Sequence, residues 1–170
     1  MTVFEAIRER RSIRLFDKRP VEEEKLSRVL EAGRLAPSAR NMQEWKFVVI
    51  RDTGKRARLM EAAKQQHFVG QAPVVIVGCG TITDYTMSCG QLSYPIDVAI
   101  ALTQMSLQAV EEGLGTCWVC AFDADQVAEL LNLPAGVRPV ALLPLGYPKE
   151  APEARPRKQL EEVVCYEEYA

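Results

Sequence analysis

The chain has 170 residues, of which 48% are hydrophobic, so it is long and apolar enough to bury a core and is expected to form one domain over residues 1–170. Its 21 Lys and Arg against 23 Asp and Glu leave a formal net charge of −2, which excludes an overall basic field that attracts nucleic acid or anionic membranes. The sequence shows neither a secretory signal pattern nor an apolar stretch of membrane-spanning length, and we expect a cytoplasmic protein.

The N-terminal segment carries a helix signal followed by a cluster of arginines. Residues 2–5, Thr-Val-Phe-Glu, form a capping box, which predicts a short amphipathic helix that ends near Arg10. Residues 10–14, Arg-Arg-Ser-Ile-Arg, are called the arginine run below. If the run is extended, Arg10, Ser12 and Arg14 project from one side, and two guanidinium groups flanking a hydroxyl suit a phosphate. Taken alone, the run is better interpreted as a helix end, whose negative dipole favours cations.

Hydrophobic periodicity and turn residues predict the elements of the first half of the chain. Acidic residues after Pro20 open a second helix, which stops at Pro37. Residues 45–50 are predicted to form a strand and residues 55–66 a helix. Residues 74–77 are continuously apolar, which is typical of a strand buried on both faces.

The second half continues this alternation of helices and strands. Residues 80–94 lack periodicity and are interpreted as a loop or lid, after which Pro95 begins a long core helix that ends at about Glu112. A strand through Trp118, a helix capped by Asp123 and a strand over residues 140–143 follow. The chain closes with a Pro-rich basic tail. The alternation predicts an α/β or α+β fold, with helices on both faces of a sheet.

Five cysteines form an odd set without the spacing of a disulfide framework, which favours reduced thiols. Cys117 and Cys120 form a C-x-x-C pattern inside an apolar run. A zinc site would require a second pair of ligands, and His67 is the only histidine in the sequence. Two structural cysteines are therefore favoured over a redox or metal pair.

Several common catalytic signatures are missing from the sequence. It contains no H-E-x-x-H, no G-x-S-x-G and no P-loop pattern, which argues against common metalloproteases, α/β-hydrolases and P-loop enzymes. Phosphate-binding chemistry without evident acid–base residues indicates a bound cofactor that carries the reaction.

Four features, taken in chain order, carry a family resemblance. They are the arginine run, residues 36–45 (Ala-Pro-Ser-Ala-Arg-Asn-Met-Gln-Glu-Trp), the Gly-Leu-Gly turn at residues 113–115 after a long helix, and the basic tail. Together they resemble the FMN-dependent nitroreductase family. The resemblance implies an α+β fold with a mixed, mostly antiparallel sheet flanked by helices, a dimer-forming long core helix and a C-terminal extension. It also implies a homodimer with FMN at the subunit interface.

The resemblance further implies which residues surround FMN. The arginine run and the basic tail would hold the phosphate, with Arg14 also near the pyrimidine side, while a loop from the partner subunit would lie against the cofactor and backbone amides would face the flavin ring. The implied FMN-binding residues are Arg10, Arg11, Ser12, Arg14, Pro37, Ser38, Ala39, Asn41, Gln65, Cys120, Ala121, Arg157 and Lys158, with Arg155 as the alternative to Lys158.

The implied activity is transfer of hydride from NADH or NADPH to FMN and then, by a ping-pong scheme, to a nitroaromatic, a quinone or a similar acceptor. A flavin-binding storage, sensor or regulatory protein and a specialised reaction such as reductive dehalogenation remain open. Two positions depart from the family pattern: Glu44 stands where proline is common, and Phe68 where some relatives carry lysine. We expect Trp45 and Phe122 in the core, whereas Trp118 fits the core and the site equally well.

Overall fold

The computed structural model describes residues 1–169. Six α-helices and four β-strands occur within that range, together with short 3₁₀ turns at Ala39–Asn41 and Leu160–Glu162. The helices are α1 (Val3–Glu9), α2 (Glu23–Arg34), α3 (Thr53–Ala62), α4 (His67–Gln71), α5 (Ser93–Glu111) and α6 (Ala124–Leu130). The strands are β1 (Trp45–Ile50), β2 (Val74–Gly80), β3 (Gly115–Thr116) and β4 (Arg138–Gly146).

The strands of the described chain form one sheet in the order β1-β2-β4-β3, and every neighbouring pair of strands is antiparallel. Val77 of β2 pairs with Val48 on one side and with Leu142 on the other. A parallel element is supplied by a bridge between Ser12 and Thr116 beyond the end of the strand ladders. The α+β fold with a mixed, mostly antiparallel sheet is therefore confirmed.

Helices cover both faces of the sheet. Because side chains alternate along a strand, Val74 and Ile76 of β2 pack into the core under α2 and α5, whereas Val75 and Val77 pack into the core under α3, α4 and α6. All seven residues of β2 are buried, which confirms the two-sided burial predicted from its apolar run. The sheet thus forms the middle of three layers.

The long helix α5 has Pro95 in its first turn, as predicted. It packs closely on α2 because Gly33 has no side chain: a Cβ built there would lie 2.0 Å from Met105 Cε. Among residues 1–169, no helix combines the length and the apolar character that crossing a bilayer requires. Close packing of α2 on α5 leaves the N-terminal turn of α5 next to the loop that follows α2, and this placement matters for the site.

The capping predictions hold at both helices where they were made. Thr2 accepts a hydrogen bond from the N–H of Glu5, whose carboxylate accepts one from the N–H of Thr2, so the capping box of α1 is complete. At α6, Asp123 caps the N–H groups of Asp125 and Gln126. The Gln126 amide also donates to the Asp123 carboxylate, so this cap is not reciprocal.

Two predicted elements are wrong in extent. The helix predicted over residues 55–66 ends at Ala62, because Lys64 and Gln65 adopt left-handed φ values of 57° and 59° that an α-helix cannot contain. The separate helix α4 then starts at His67. The strand predicted through Trp118 stops at Thr116, and the chain beyond it returns to β4 only through an isolated bridge.

Candidate functional site

The arginine run is attached to the sheet through its backbone. Ser12 bridges Thr116 of β3, and the N–H of Ile13 donates to the Thr116 carbonyl at 2.9 Å. The Ile13 side chain is 5% exposed and lies against Gly115, where a Cβ would come within 2.5 Å of Ile13 Cγ1. The run therefore lies along β3 with its hydrophobic member buried, which leaves its polar members on the opposite side.

The residues at the end of the run and just after it bond to the start of the C-terminal tail, defined here as residues 147–169. The N–H of Asp17 donates to the Tyr147 carbonyl at 2.8 Å, and the N–H of Lys149 donates to the Leu15 carbonyl at 2.9 Å. The Glu150 carboxylate accepts hydrogen bonds from the N–H groups of Arg14 and Leu15, the latter at 3.0 Å. These bonds bring the two ends of the chain together.

The two ends share a cavity of about 380 Å³. It is lined by Ile7, Arg8, Arg10, Arg11, Ser12 and Arg14 from the N-terminal part and by Pro152, Glu153, Ala154, Arg155 and Arg157 from the tail. The structure thus brings together the two segments, the arginine run and the tail, that the sequence predicted to share a phosphate site. The tail arginine that joins Arg157 is Arg155, and Lys158 is not among the lining residues.

The alternation expected for the run holds only in part. Arg10, Ser12 and Arg14 line the cavity as predicted, and Ile13 points into the core. Arg11, which alternation placed on the far side, also lines the cavity. Its guanidinium donates to the carbonyl oxygens of Arg8 at 2.6 Å and Arg10 at 3.0 Å, since the backbone has just left α1.

The cavity is strongly cationic. None of its six arginines forms an ion pair with a carboxylate among residues 1–169, although five other arginines of the chain do so. Glu153 is the acidic residue in its wall. Several guanidinium groups without a counter-ion around a serine hydroxyl are the donor set that a phosphate dianion requires.

Cys117 connects the arginine run to the segment that follows β3. Burial raises the pKa of the Cys117 thiol, an effect opposed by the charge of Arg14, a hydrogen bond with Ser12 and the charge of Arg10. The thiol therefore lies directly beneath the run. Cys120 and Ala121 follow three and four residues after Cys117, so this segment begins beside the arginine run.

Cys120 and Ala121 present free backbone donors. Both residues are exposed, and within the described chain neither of their N–H groups donates a hydrogen bond. The indole Nε1 of Trp118 donates to Cys120 Sγ at 2.9 Å, and the Gln66 amide donates to the Ala121 carbonyl at 3.1 Å. Side chains thus hold this segment, while its two N–H groups have no partner among the described residues and could serve a ligand acceptor.

Gln66, the neighbour of the predicted Gln65, is the glutamine whose side chain contacts the segment at Ala121. Gln65 is exposed in the left-handed turn after α3, and its own N–H is used by the Met60 carbonyl. Gln66 instead reaches Ala121, and its side chain also donates to the Ala63 carbonyl at 2.9 Å. The sequence cannot show which of two adjacent glutamines contacts Ala121, because that depends on the left-handed turn at Lys64 and Gln65.

The other implied segment, the loop at residues 37–43, contributes no lining residue to the cationic cavity of its own chain. Its Ala39 N–H donates to the buried Asp97 carboxylate at 2.9 Å, and Ser38 Oγ accepts from the N–H of Gln43 at 2.9 Å. Pro37 is exposed and Asn41 is left-handed with φ 56°. The expectation that this loop serves the partner subunit's cofactor stays a prediction.

The aromatic and thiol side chains are distributed around this site. Trp45 and Phe122 pack against the two cores, as expected, whereas Trp118 is 38% exposed. Phe68 is half-buried under the Arg14 guanidinium, which lies 5.8 Å from the ring centroid. Cys117 is buried and Cys120 is exposed, and the prediction of two structural cysteines stays a prediction. No metal-binding cluster of His, Cys, Asp or Glu occurs among the described residues.

Comparison with known proteins agrees with this geometry. The nitroreductase family profile matches residues 7–68 and 61–147. A Thermus thermophilus protein named NADH dehydrogenase is 34% identical, over 92% of this chain and 92% of its own, and the Bacillus subtilis FMN reductase [NAD(P)H] is 29% identical, over 98% and 74%.

The fold comparison points the same way. The crystal structure of a Clostridium difficile nitroreductase family protein superposes with a TM-score of 0.90 and 34% identity, over 99% of this chain and 100% of its own. The family profile covers the arginine run, residues 36–45 and the Gly-Leu-Gly turn, and it ends before the basic tail. This chain belongs to the nitroreductase family.

Proposed function

We propose that the protein is an FMN-dependent NAD(P)H oxidoreductase that reduces quinones, nitroaromatics or similar acceptors. Its place in the nitroreductase family and the names of the Thermus and Bacillus relatives support a flavin-dependent oxidoreductase that uses a nicotinamide donor. The observation that carries the choice of FMN is the cationic cavity, because a terminal phosphate matches its unpaired arginines. FMN would bring the hydride-accepting and hydride-donating chemistry, which no side chain of the site supplies.

The phosphate end of the site consists of Arg10, Ser12 and Arg14 with Arg155 and Arg157. These groups come from opposite ends of the chain, and backbone hydrogen bonds at Thr116 and Tyr147 hold the run in place. A guanidinium group stays charged at all physiological pH values and binds phosphate oxygens in pairs. The positive charge that holds the phosphate dianion therefore does not depend on pH in the physiological range.

The ring end of the site is supplied by Arg14 and by the N–H groups of Cys120 and Ala121. The position of Arg14 is supported by its contact with Phe68. A permanent positive charge beside a ring that gains negative charge favours the reduced form, and free amides donate to an acceptor nitrogen at the ring edge. The residues thus fit both ends of FMN: a cation cluster for the phosphate and neutral donors for the ring.

We also propose a homodimer in which the loop at residues 37–43 of one subunit covers the cofactor of the other. Support comes from apolar side chains of α1 that stay exposed in the single chain, Val3 at 73%, Phe4 at 67% and Ile7 at 53%, and from Leu35 at 64%. Val3 and Leu35 also line a groove of about 470 Å³ between α1, α2 and α5. Exposed apolar surface of this kind is typical of protein interfaces.

The test begins with protein freed of flavin. Titration with FMN, followed by quenching of flavin fluorescence, should show saturable binding, and riboflavin, which lacks the phosphate, should bind at least tenfold more weakly because the charge-assisted hydrogen bonds are lost. Under anaerobic conditions NADH or NADPH should bleach the FMN absorbance, and menadione or a nitroaromatic should restore it. Sedimentation velocity would establish the dimer.

Each outcome separates one alternative. Binding of FMN without bleaching by either nicotinamide would overturn the oxidoreductase and favour the storage or sensor function. Equal affinity for FMN and riboflavin would overturn the phosphate assignment. Bleaching without reoxidation by quinones or nitroaromatics would restrict the acceptor to another class, such as a halogenated substrate.

A further inference from the structure

We propose that Asp97 is a positioning residue of the cofactor site, which acts through one hydrogen bond to hold residues 38–43 in the shape that meets FMN. The inference rests on the proposed function for its link to FMN. The anchoring itself is a property of the flavin-free chain.

The segment that Asp97 holds is strained. Arg40, Asn41 and Gln43 have φ values of 52°, 56° and 53°. These values lie in the left-handed region, which residues other than glycine and asparagine rarely adopt. Such residues persist where the surrounding structure over-determines them, and they cluster at functional sites. Internal bonds contribute, for example from the Asn41 N–H to the Ser38 carbonyl at 3.0 Å.

The bond to the protein core comes from α5. Asp97 is 3% exposed, and its Oδ2 accepts the N–H of Ala39 at 2.9 Å. Within the described residues this carboxylate forms no ion pair, so the free-energy cost of its burial is offset by hydrogen bonding. Burial of a carboxylate without a cation costs free energy unless hydrogen bonds satisfy its oxygens.

The other end of the loop is tied to the same helix turn. Glu44 is 1% exposed and accepts a hydrogen bond from the Ser93 hydroxyl, and Ser93 lies one helical turn before Asp97. The Glu44 carbonyl also accepts the N–H of Thr81 at 3.0 Å. Both ends of the strained segment are thus bonded to residues at the N-terminal end of α5.

Anchoring of this kind affects binding through preorganisation. A loop that is already ordered loses little conformational entropy when a ligand arrives, whereas a loop released from its anchor must be ordered at the cost of affinity. Asp97 does not line the cationic cavity and need not touch FMN. Its removal should therefore weaken FMN binding and loosen the loop together.

The experiment breaks the hydrogen bond from each side. Asp97→Ala removes the acceptor, and Ala39→Pro removes the donor without touching α5, at the first position of a 3₁₀ turn where proline is accommodated. Asp97→Asn keeps an acceptor oxygen but no charge. Ser106→Ala is the matched control, because Ser106 lies on the same helix, is 6% exposed and bonds only to the Thr103 carbonyl at 2.7 Å.

Two readouts are followed: the Kd for FMN and hydrogen–deuterium exchange of residues 39–43 in flavin-free protein. Asp97→Ala and Ala39→Pro should weaken FMN binding roughly tenfold and speed exchange in the loop, because each leaves a buried group unpaired. Asp97→Asn should restore both to within about threefold of wild type, and Ser106→Ala should change neither.

Unchanged affinity and exchange in both bond-breaking variants would overturn the proposal. So would an Asp97→Asn variant as defective as Asp97→Ala, since that would assign the effect to charge. If Asp97→Ala does not fold, Ala39→Pro and Asp97→Asn decide the matter. Failure of the wild type to bind FMN would overturn the proposed function instead, and the exchange measurement would still test the anchor.

Discussion

Ser12 and Thr116 are paired in a parallel bridge, and the adjacent Ile13 N–H donates to the Thr116 carbonyl at 2.9 Å. Backbone pairing therefore positions the cationic cavity at the edge of the sheet. Because the arginine side chains are not needed for that pairing, they are free to bind a ligand and can be replaced without loss of the fold. This separation of roles makes the site open to mutational tests.

Replacement of Arg14 by alanine should weaken FMN binding roughly 10- to 100-fold, the range expected for loss of a charge-assisted hydrogen bond. It should also lower the midpoint potential of bound FMN, since a positive charge near the ring is lost. Fluorescence titration and spectroelectrochemistry would measure the two effects. Arg34→Ala, which removes an exposed arginine paired with Glu31, is the control and should change neither. Full affinity and an unchanged potential in Arg14→Ala would contradict the assignment.

Replacement of Glu153 by glutamine should have the opposite effect. Glu153 is the acid in the wall of the cationic cavity, so its removal raises the positive field at the phosphate. We expect FMN to bind a few-fold more tightly at low salt, with the gain shrinking as salt screens the charge. Glu161→Gln removes a tail carboxylate that is not in the cavity wall and should have no such effect. Weaker binding in Glu153→Gln would show that this carboxylate has another role.

Gly115 should tolerate no side chain, because a Cβ there would lie 2.5 Å from Ile13 Cγ1 and 3.0 Å from Ile13 Cβ. Gly115→Ala should cost about 1–3 kcal/mol of unfolding free energy and weaken FMN binding by displacing the run. Urea denaturation would measure the cost.

Ile13→Ala should by itself lower the free energy of unfolding by about 2–5 kcal/mol, because it leaves a cavity. The double variant Ile13→Ala/Gly115→Ala should lose less than the sum of the two single losses. Gly54→Ala, in the first turn of α3, is the control: its Cβ would lie 3.3 Å from Asp52 Oδ1, and the change in either direction should be within about 1 kcal/mol. Additive costs in the double variant would show that a side chain introduced at position 115 does not clash with Ile13.

Thiol labelling should report the place of Cys120 in the site. Burial raises the pKa of Cys79 to about 11 and also raises that of Cys117, so both should react slowly with iodoacetamide at pH 8, where the thiolate is the nucleophile. The exposed Cys89 and Cys120 should react fast. FMN should protect Cys120 and leave Cys89 unaffected, as read by peptide mass spectrometry. Equal labelling of Cys120 with and without FMN would move the ring end of the site elsewhere.

Acid stability should depend on a hydrogen bond between Tyr147 and Glu22. The Tyr147 hydroxyl donates to the carboxylate at 2.6 Å, and this bond, with a backbone hydrogen bond and Arg19, lowers the pKa of Glu22 from 4.5 to about 2. A lowered pKa in the folded state stabilises the protein above pH 4.5, and that stabilisation is lost as the pH falls towards 2.

Tyr147→Phe should therefore raise the pKa of Glu22, which NMR titration of the carboxyl carbon would show. Its melting temperature should fall below that of the wild type at neutral pH, and the difference should narrow below pH 4.5. Tyr85→Phe is the control, because Tyr85 makes no contact with Glu22 among the recorded interactions of residues 1–169. A difference that persists unchanged at pH 2 would assign the effect to packing.

The elements that periodicity predicted well are those whose signal is local. Strand β1 occupies Trp45–Ile50 as predicted, and α5 begins two residues before Pro95. The prediction over residues 55–66 failed because Lys64 and Gln65 are left-handed without being glycine, and nothing in residue type announces that. The same turn leaves Gln65 exposed while the Gln66 side chain reaches Ala121, a difference that the sequence does not indicate.

The two acidic residues that fix the ends of the strained loop stand out in the sequence, but the sequence does not show what they bind. Asp97 stands inside an apolar helix and Glu44 at the start of a strand, and a charged residue at such a position indicates a specific partner. Which partner it is depends on the fold, because Ala39 reaches Asp97 only after α2 has packed on α5. Charge alone could not distinguish a ligand contact from an anchor.

The amino-acid sequence alone determined the class of the fold, most of the helices and strands, and the ordered motifs that resemble the nitroreductase family. Those properties follow from hydrophobic periodicity, capping and turn residues, which act over a few neighbouring residues. Only the tertiary structure decided that the arginine run and the tail line one cavity, that Arg155 accompanies Arg157, and that Asp97 holds the strained loop. These are contacts between distant segments, and they exist because the sheet and the two helical layers bring those segments together.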